Sequence, residues 1–403
     1  MKKTVAFFMI LCLLAAAFAA VAAAENVAAV PELTITRRPI PENEAMEFLK
    51  KMGVGWNLGN TFDAVKDKWT INADEMMLET YWVGKDVKTS EAMIEAIHAA
   101  GFSSIRVPIS WHDHVSGPDH EISEKWLARV QEVVDWAYNR GMYVIINIHH
   151  DEDQFLPASS HYEESAHYVE CIWKQLAARF RDYDERLIME SLNEPRLMNS
   201  AYEWVFDPNA AECIDAADCL NRLNQLFVDT VRASGGNNAT RYLMVPAYDA
   251  APGNALRDSF ILPTDSAENK IIVSVHAYTP YDFALNLKGG DKFYTQAQKV
   301  EIVSFMNSLY NQYVVNGIPV VIGEYGAMVK GDNLQDRVDW AAFYVATASA
   351  RNMPCLYWDN NVFSGDGERF GLLNRKTLSF PHQPMVDAIM RYGGWEKLPE
   401  AQQ

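Results

Sequence analysis

Residues 187–196 read "LIMESLNEPR". The stretch begins as an apolar run of the kind that fills a covered strand. It ends in an amide, a carboxylate and a proline. Burying a carboxylate is unfavourable unless the group is paired or put to use. Seven other runs have the same apolar character, at 52–60, 104–109, 142–149, 241–248, 271–278, 319–325 and 355–360; with 187–194 they make eight. They are rich in Val and Ile and alternate little with polar residues, as strands covered on both faces do.

Helical patterns separate them. Trp126, Val130, Val133 and Ala137 fall on one helical face, with Ser123 placed to cap the start and Gly141 following the end. Residues 90–100 have the same grammar before Gly101, and 220–233, 300–315 and 334–350 repeat it. Eight strand-then-helix units predict an α/β fold, a single (β/α)8 TIM barrel over 46–395. The rival is an open doubly wound sheet. It wants a Gly-rich phosphate loop after its first strand, and in "GVGWNLGN" (53–60) Trp56 and Leu58 stand between the glycines.

The N-terminus reads as a leader. Lys2 and Lys3 precede an apolar run at 7–14, and Ala-rich sequence continues to Ala24. This is the layout of a secretory signal peptide, expected to be cleaved near residue 24. The expected destination is extracellular or periplasmic, with no membrane attachment after cleavage. An uncleaved anchor is the alternative, disfavoured by the short apolar core. Cys12 sits within the apolar run, which does not suit lipid modification. Residues 25–45 read as a short polar lead and 396–403 as a tail.

The 403 residues carry a formal charge of −18, and losing the leader removes two lysines and no acid. Such a chain repels phosphate backbones and anionic membranes, so nucleic acid is excluded as a partner. The 11 Trp and 18 Tyr offer amphipathic faces of the kind that suit sugars, or an ordinary large core. Cys171, Cys213, Cys219 and Cys355 are too few for a disulfide scaffold and fit no zinc pattern. Cys213 and Cys219 bracket a short segment and are candidates for pairing. Asn238-Ala239-Thr240 is a glycosylation sequon. A monomer is the default expectation.

In such barrels the chemistry gathers at the C-terminal ends of the strands. Here those ends are polar: Arg106 on strand 2, Asn147, His149 and His150 on strand 3, Asn193 and Glu194 on strand 4. His276 and Tyr278 follow on strand 6, Glu324 on strand 7, and Trp358, Asp359 and Asn360 on strand 8. One strand-end Glu or His is more often structural; this many from six strands is not. Glu194 and Glu324 face each other across the mouth. Two carboxylates across an aromatic cleft are the equipment of glycoside hydrolysis. One gives a proton to the leaving oxygen, and the other attacks the anomeric carbon or activates water. Arg106 is placed to hold one carboxylate charged, Tyr278 to hydrogen-bond the nucleophile and Asn193 to bind a sugar hydroxyl. Glu190 reads as a buried, hydrogen-bonded partner.

These residues resemble a family. "LNEP" (192–195), "GEYG" (323–326), "HAY" (276–278), "IRVPISW" (105–111), "NIHH" (147–150) and "YWDN" (357–360) together are similar to glycoside hydrolase family 5, cellulase family A. "GWNLGNTFDA" (55–64) with "ETYW" (79–82) is similar to its subfamily 4. The resemblance covers about residues 45–395. It implies a retaining endo-β-1,4-glycanase, most simply an endoglucanase, with Glu194 as general acid/base and Glu324 as nucleophile. It implies substrate contacts from Asn60, Arg106, His149, His150, Asn193, His276, Tyr278 and Trp358, and it implies no metal and no cofactor. Xyloglucan, mixed-linkage glucan, xylan and glucomannan are the alternative polysaccharides. Two positions depart from the family pattern: Asn147, where an aspartate-rich motif is usual, and Asn361, where many relatives carry glycine. Trp69, Trp82, Trp111 and Phe155 are candidate sugar platforms, or core.

Two rival readings remain. A metal-dependent hydrolase would draw on His149, His150, Asp151 and Asp153, although adjacent histidines on a strand point to opposite faces. A non-catalytic glycan-binding barrel would tend to have lost one of the two glutamates.

Overall fold

The computed structural model describes residues 28–401. The leader at 1–24 lies outside them, as do the last two residues of the tail. Eight strands form one closed parallel barrel: β1 Gly55–Leu58, β2 Ser104–Val107, β3 Tyr143–Asn147, β4 Leu187–Glu190, β5 Leu243–Pro246, β6 Ile271–His276, β7 Val320–Tyr325 and β8 Cys355–Asp359. Neighbours in sequence pair in space, and β8 returns to β1 with Gly55 opposite Leu356 and Asn57 opposite Trp358. Closure excludes the doubly wound sheet. Every residue of the barrel strands is buried, which explains the unbroken apolar runs.

The strands are shorter than the runs that announce them. β4 stops at Glu190, so Ser191 to Glu194 already belong to the loop that crosses the mouth. The pleat therefore does not carry Glu190 and Glu194 to the same face; the loop brings Glu194 in.

Outside the barrel run α2 Glu91–Ala99, α3 Glu124–Tyr138, α4 Tyr162–Arg179, α5 Ala211–Ala233, α6 Gln296–Gln312, α7 Leu334–Ser349 and α8 Gln383–Tyr392, after α1 Glu44–Met52. The fifth crossover departs from the pattern. Between β5 and β6 the described residues hold only a 3-10 turn at Tyr248–Ala250 and the four-residue α-helix Pro252–Ala255. That connection carries Pro252, Gly253 and Pro263 and has no long helical stripe. Ser90 caps α2 through the Met93 N–H (3.3 Å) as its sequence position suggests. Ser123 sits at the start of α3, but its hydroxyl donates to Glu75 (2.7 Å).

α1 closes the bottom of the barrel. Phe48 stacks on Tyr242 (centroids 3.7 Å apart) and meets Tyr143 edge-on (5.2 Å), at the entrances to β5 and β3. Cys213 and Cys219 are both free and buried. They lie on the same helix, six residues and so about 9 Å of rise apart, beyond the span of a disulfide. Asn238 is also buried, donating to Ala177 O (2.8 Å) and Ser234 Oγ (2.7 Å), so the sequon is not presented. Among the described residues no helix is long and apolar enough to cross a membrane.

Candidate active site

The upper interior of the barrel is polar, and Arg106 organises it. Its guanidinium is fully buried. Nε donates to Glu190 (2.7 Å), Nη1 to Glu324 (2.6 Å) and Asn57 (3.1 Å), and Nη2 to Asn193 (2.7 Å). Burial alone would favour the neutral base, but the charges of Glu190 and Glu324 outweigh it and hold the guanidinium protonated. Glu190 also accepts from Ser274 Oγ (2.6 Å) and Asn147 Nδ2 (3.0 Å). It is the satisfied structural carboxylate its position suggested. Asn147 takes the Ile109 N–H on its oxygen (3.0 Å) and donates from its nitrogen to His149 Nδ1 as well (3.1 Å). An amide does here what a carboxylate could not, since the second role needs a donor.

Glu324 receives a second hydrogen bond from Tyr278 OH (2.8 Å). Burial pushes its carboxyl up, yet the charges of His276 and Arg106 and these hydrogen bonds bring it below the ordinary carboxylate range. Tyr278 is pushed well above the usual phenol range by burial and by Glu324's charge, so its proton stays on. Glu194 stands on the other side of His276. His276 Nδ1 is 2.8 Å from a Glu194 oxygen and 3.8 Å from a Glu324 oxygen. Donor atoms of all three residues lie within 4.8 Å of one another. Burial pulls His276 down, but Glu324's charge and the bond to Glu194 win and raise it.

Around this pair opens a cleft of about 950 Å³. Asn60, His149, His150, Asn193, Glu194, His276, Tyr278, Glu324 and Trp358 all line it; Arg106 lies underneath and acts through its partners. Trp358 lies parallel to the His149 ring, with centroids 5.9 Å apart. Gly59 makes room for that indole, because a Cβ there would sit 2.8 Å from the ring. Asn361 has φ +57, the left-handed region that glycine and asparagine both accept, so the departure at this position leaves the turn after β8 intact. Burial and the charges of His150 and Arg106 keep His149 neutral.

The aromatic candidates divide. Trp111 and Phe155 are core. Trp69 is 78% exposed but does not line the cleft, whereas Trp82, 37% exposed, does. Reading the sequence missed Trp204, 61% exposed under the Arg196 guanidinium (4.2 Å), and Tyr281, both on the cleft wall. It also missed Asp249, and Arg196 itself, which donates to the Glu194 carbonyl (2.8 Å) and to Glu152 (3.1 Å). Arg196 follows the motif directly and was legible as a neighbour; the others sit in loops without local pattern.

β3 ends at Asn147, so His149 and His150 are free of the pleat and bring donor atoms within 4.8 Å of Asp63. Asp63 is committed elsewhere, accepting the Asn60 N–H (2.9 Å) and the Thr61 N–H (2.5 Å). Asp151 is buried under the Trp111 N–H and Tyr168 OH. The four residues of the metal reading therefore do not converge.

A parallel barrel with two close carboxylates, an arginine beneath them and an aromatic cleft around them defines a (β/α)8 glycoside hydrolase. The family model for cellulase (glycosyl hydrolase family 5) matches residues 64–364, and the chain belongs to that family. A family 5 lichenase from Caldicellulosiruptor sp. F32, solved alone and with cellotetraose, is 50% identical; the match covers 91% of this chain and 99% of that one with a TM-score of 0.88. A GH5-4 broad specificity endoglucanase from Ruminococcus champanellensis with bound cellotriose is 40% identical over 88% of this chain and all of that one, TM-score 0.81. Endoglucanase B of Ruminococcus albus is 40% identical over 89% of this chain and 83% of its own length. Another curated relative is longer, and the chain spans 42% of it.

Proposed function

We propose that the chain is a secreted, retaining endo-β-1,4-glucanase. The observation that carries the reading is the approach of Glu194 and Glu324 oxygens to within 4.8 Å of each other. Retention calls for carboxyl groups about 5–5.5 Å apart; inversion needs about 6.5–9.5 Å, to admit a water. Glu324, held ionised by Arg106 and Tyr278, is the nucleophile. Its oxygen attacks the anomeric carbon while Glu194 passes its proton to the departing glycosidic oxygen. The covalent glycosyl–enzyme is then hydrolysed: Glu194 takes a proton from water, the oxygen attacks the same carbon, and Glu324 leaves. Asn193, fixed through its oxygen by Arg106, offers its amide N–H groups to the neighbouring sugar hydroxyl. Trp358, Trp82 and Trp204 supply apolar faces for successive sugars.

The preferred polysaccharide is plain or mixed-linkage β-glucan; the 50% identical lichenase supports including the latter. The protein acts as a monomer outside the cytoplasm, and the leader-like residues 1–24 support export.

The test is reducing-sugar release from carboxymethyl-cellulose, barley β-glucan, xyloglucan, xylan and glucomannan, with and without chelator. Glu324→Ala is expected to lose more than about 10³-fold in kcat, and Glu194→Ala about 10²–10⁴-fold. Inert wild type on every substrate, or activity abolished by chelator alone, refutes the reading.

A further inference from the structure

A two-stranded hairpin stands outside the barrel after β2, with Val115 opposite Ile122 and Ser116 opposite Glu121. Its tip reads Gly117-Pro118-Asp119-His120, and both Gly117 (φ +71) and His120 (φ +46) are left-handed. The tip lies against one stripe of α4, made by His167, Cys171 and Gln175 at successive spacings of four. Gln175 clips the two elements together. Its Oε1 accepts the Ile122 N–H (2.8 Å), and its Nε2 donates to His120 O (2.9 Å). His167 adds a third link, from Nε2 to Pro118 O (2.8 Å).

That last contact fixes the imidazole. A carbonyl only accepts, so Nε2 carries the proton, and in the neutral ring Nδ1 keeps its lone pair. Nδ1 lies 3.7 Å from the Cys171 sulfur. Donor atoms of Asp119, His167 and Cys171 all fall within 4.8 Å of one another. A sulfur and a nitrogen on one tetrahedral Zn2+, bonded at about 2.3 Å and about 2.0–2.1 Å, stand about 3.6 Å apart. An imidazole that ligates through one nitrogen commonly donates from the other to a backbone carbonyl. Of the cysteines at 171, 213, 219 and 355, only Cys171 is not fully buried.

We propose that Asp119, His167 and Cys171 form a binding site for a soft divalent cation of the Zn2+ class, on the outer surface and away from the catalytic cleft. Nitrogen, sulfur and one carboxylate suit such a cation, whereas Ca2+ and Mg2+ take sets of oxygens. The thiol gives its proton to solvent on binding, and a water completes the fourth position. None of the three residues lines the cleft, so the inference stands apart from the glycosidase reading. The His120 ring, with its centre 5.5 Å from that of His167, borders the site. A bound cation adds a side-chain link between hairpin and α4 to those made by Gln175 and His167.

The test is binding of Zn2+ and Co2+ to the reduced, chelator-stripped protein and to its Cys171→Ser, His167→Ala and Asp119→Asn variants. Zn2+ is expected to protect Cys171 from alkylation by iodoacetamide, read peptide by peptide, and chelator to remove the protection. Co2+ is expected to give a sulfur-to-metal charge-transfer band that Cys171→Ser lacks. The band separates this site from the cleft, where Glu194, His276 and Glu324 also bring donor atoms close but offer no sulfur. His167→Ala and Asp119→Asn are each expected to weaken Zn2+ binding about 10–100-fold. All three positions are exposed or half-buried, so the fold is kept, and kcat on barley β-glucan stays as in wild type. An unprotected thiol, or a cobalt spectrum without the sulfur band, overturns the proposal. So does binding that only Cys171→Ser weakens, since the metal then sits on the thiol alone.

Discussion

At the residue scale, Tyr278 is the cleanest lever on Glu324. Its hydroxyl donates to one carboxylate oxygen, and Arg106 serves the other. Both bonds favour the charged form, and a hydrogen bond to a charged group contributes about 1.5–3 kcal/mol. Tyr278→Phe removes one of them and nothing else of similar size, so Glu324's carboxyl rises. The sign follows: a nucleophile must be ionised, so raising its pKa makes activity fail at higher pH as acid is added. The acid limb of kcat/KM should move up by about one pH unit, with kcat down about tenfold or more even at neutral pH. An unmoved acid limb would mean that Arg106 and His276 set the charge without the phenol. Most of this constellation was legible because its members fall in short strings at strand ends, where the barrel rule says chemistry sits. Asp249, Trp204 and Tyr281 were not, since a loop's path across the mouth leaves no periodic trace.

At the element scale, strands and helices were legible to different degrees. All eight strands appear as apolar runs, though every run but that of β7 extends into the loop beyond. α4 and α8 went unread although each buries a regular face. Their starts, at His161 and His382, have no side-chain cap, and only Pro384 in the first turn of α8 and Glu163 and Glu164 in that of α4 mark them. α1 lay partly within what reads as a polar lead, yet it seals the barrel floor. Its role is stability, because the chemistry of such barrels sits at the opposite face. Phe48 is buried between Tyr143 and Tyr242. Phe48→Ala should lower the unfolding free energy by about 3–5 kcal/mol, read as a lower urea midpoint. The kcat of the protein still folded should stay within about twofold of wild type. A large fall in kcat at unchanged stability would mean that floor and mouth are coupled.

At the scale of the whole molecule, charge decides which glycans approach easily. The chain carries −18, and four of its acids, Glu194, Glu324, Asp249 and Glu368, line the cleft. A neutral β-glucan meets this field without penalty. Carboxymethyl-cellulose presents the same β-1,4 backbone bearing negative charge, so it is repelled on approach and again in the cleft. Arg196 and His276 are already engaged with acids, and Lys288 is a further cation on the cleft wall. The Debye length falls from about 30 Å at 0.01 M salt to about 8 Å at 0.15 M. Over that range kcat/KM on carboxymethyl-cellulose should rise several-fold, whereas on barley β-glucan it should change less than about twofold. Using the ratio of the two slopes removes any general effect of salt on the enzyme. Equal slopes would mean that the molecule's net charge does not reach the substrate, and that the local cations of the cleft govern its entry.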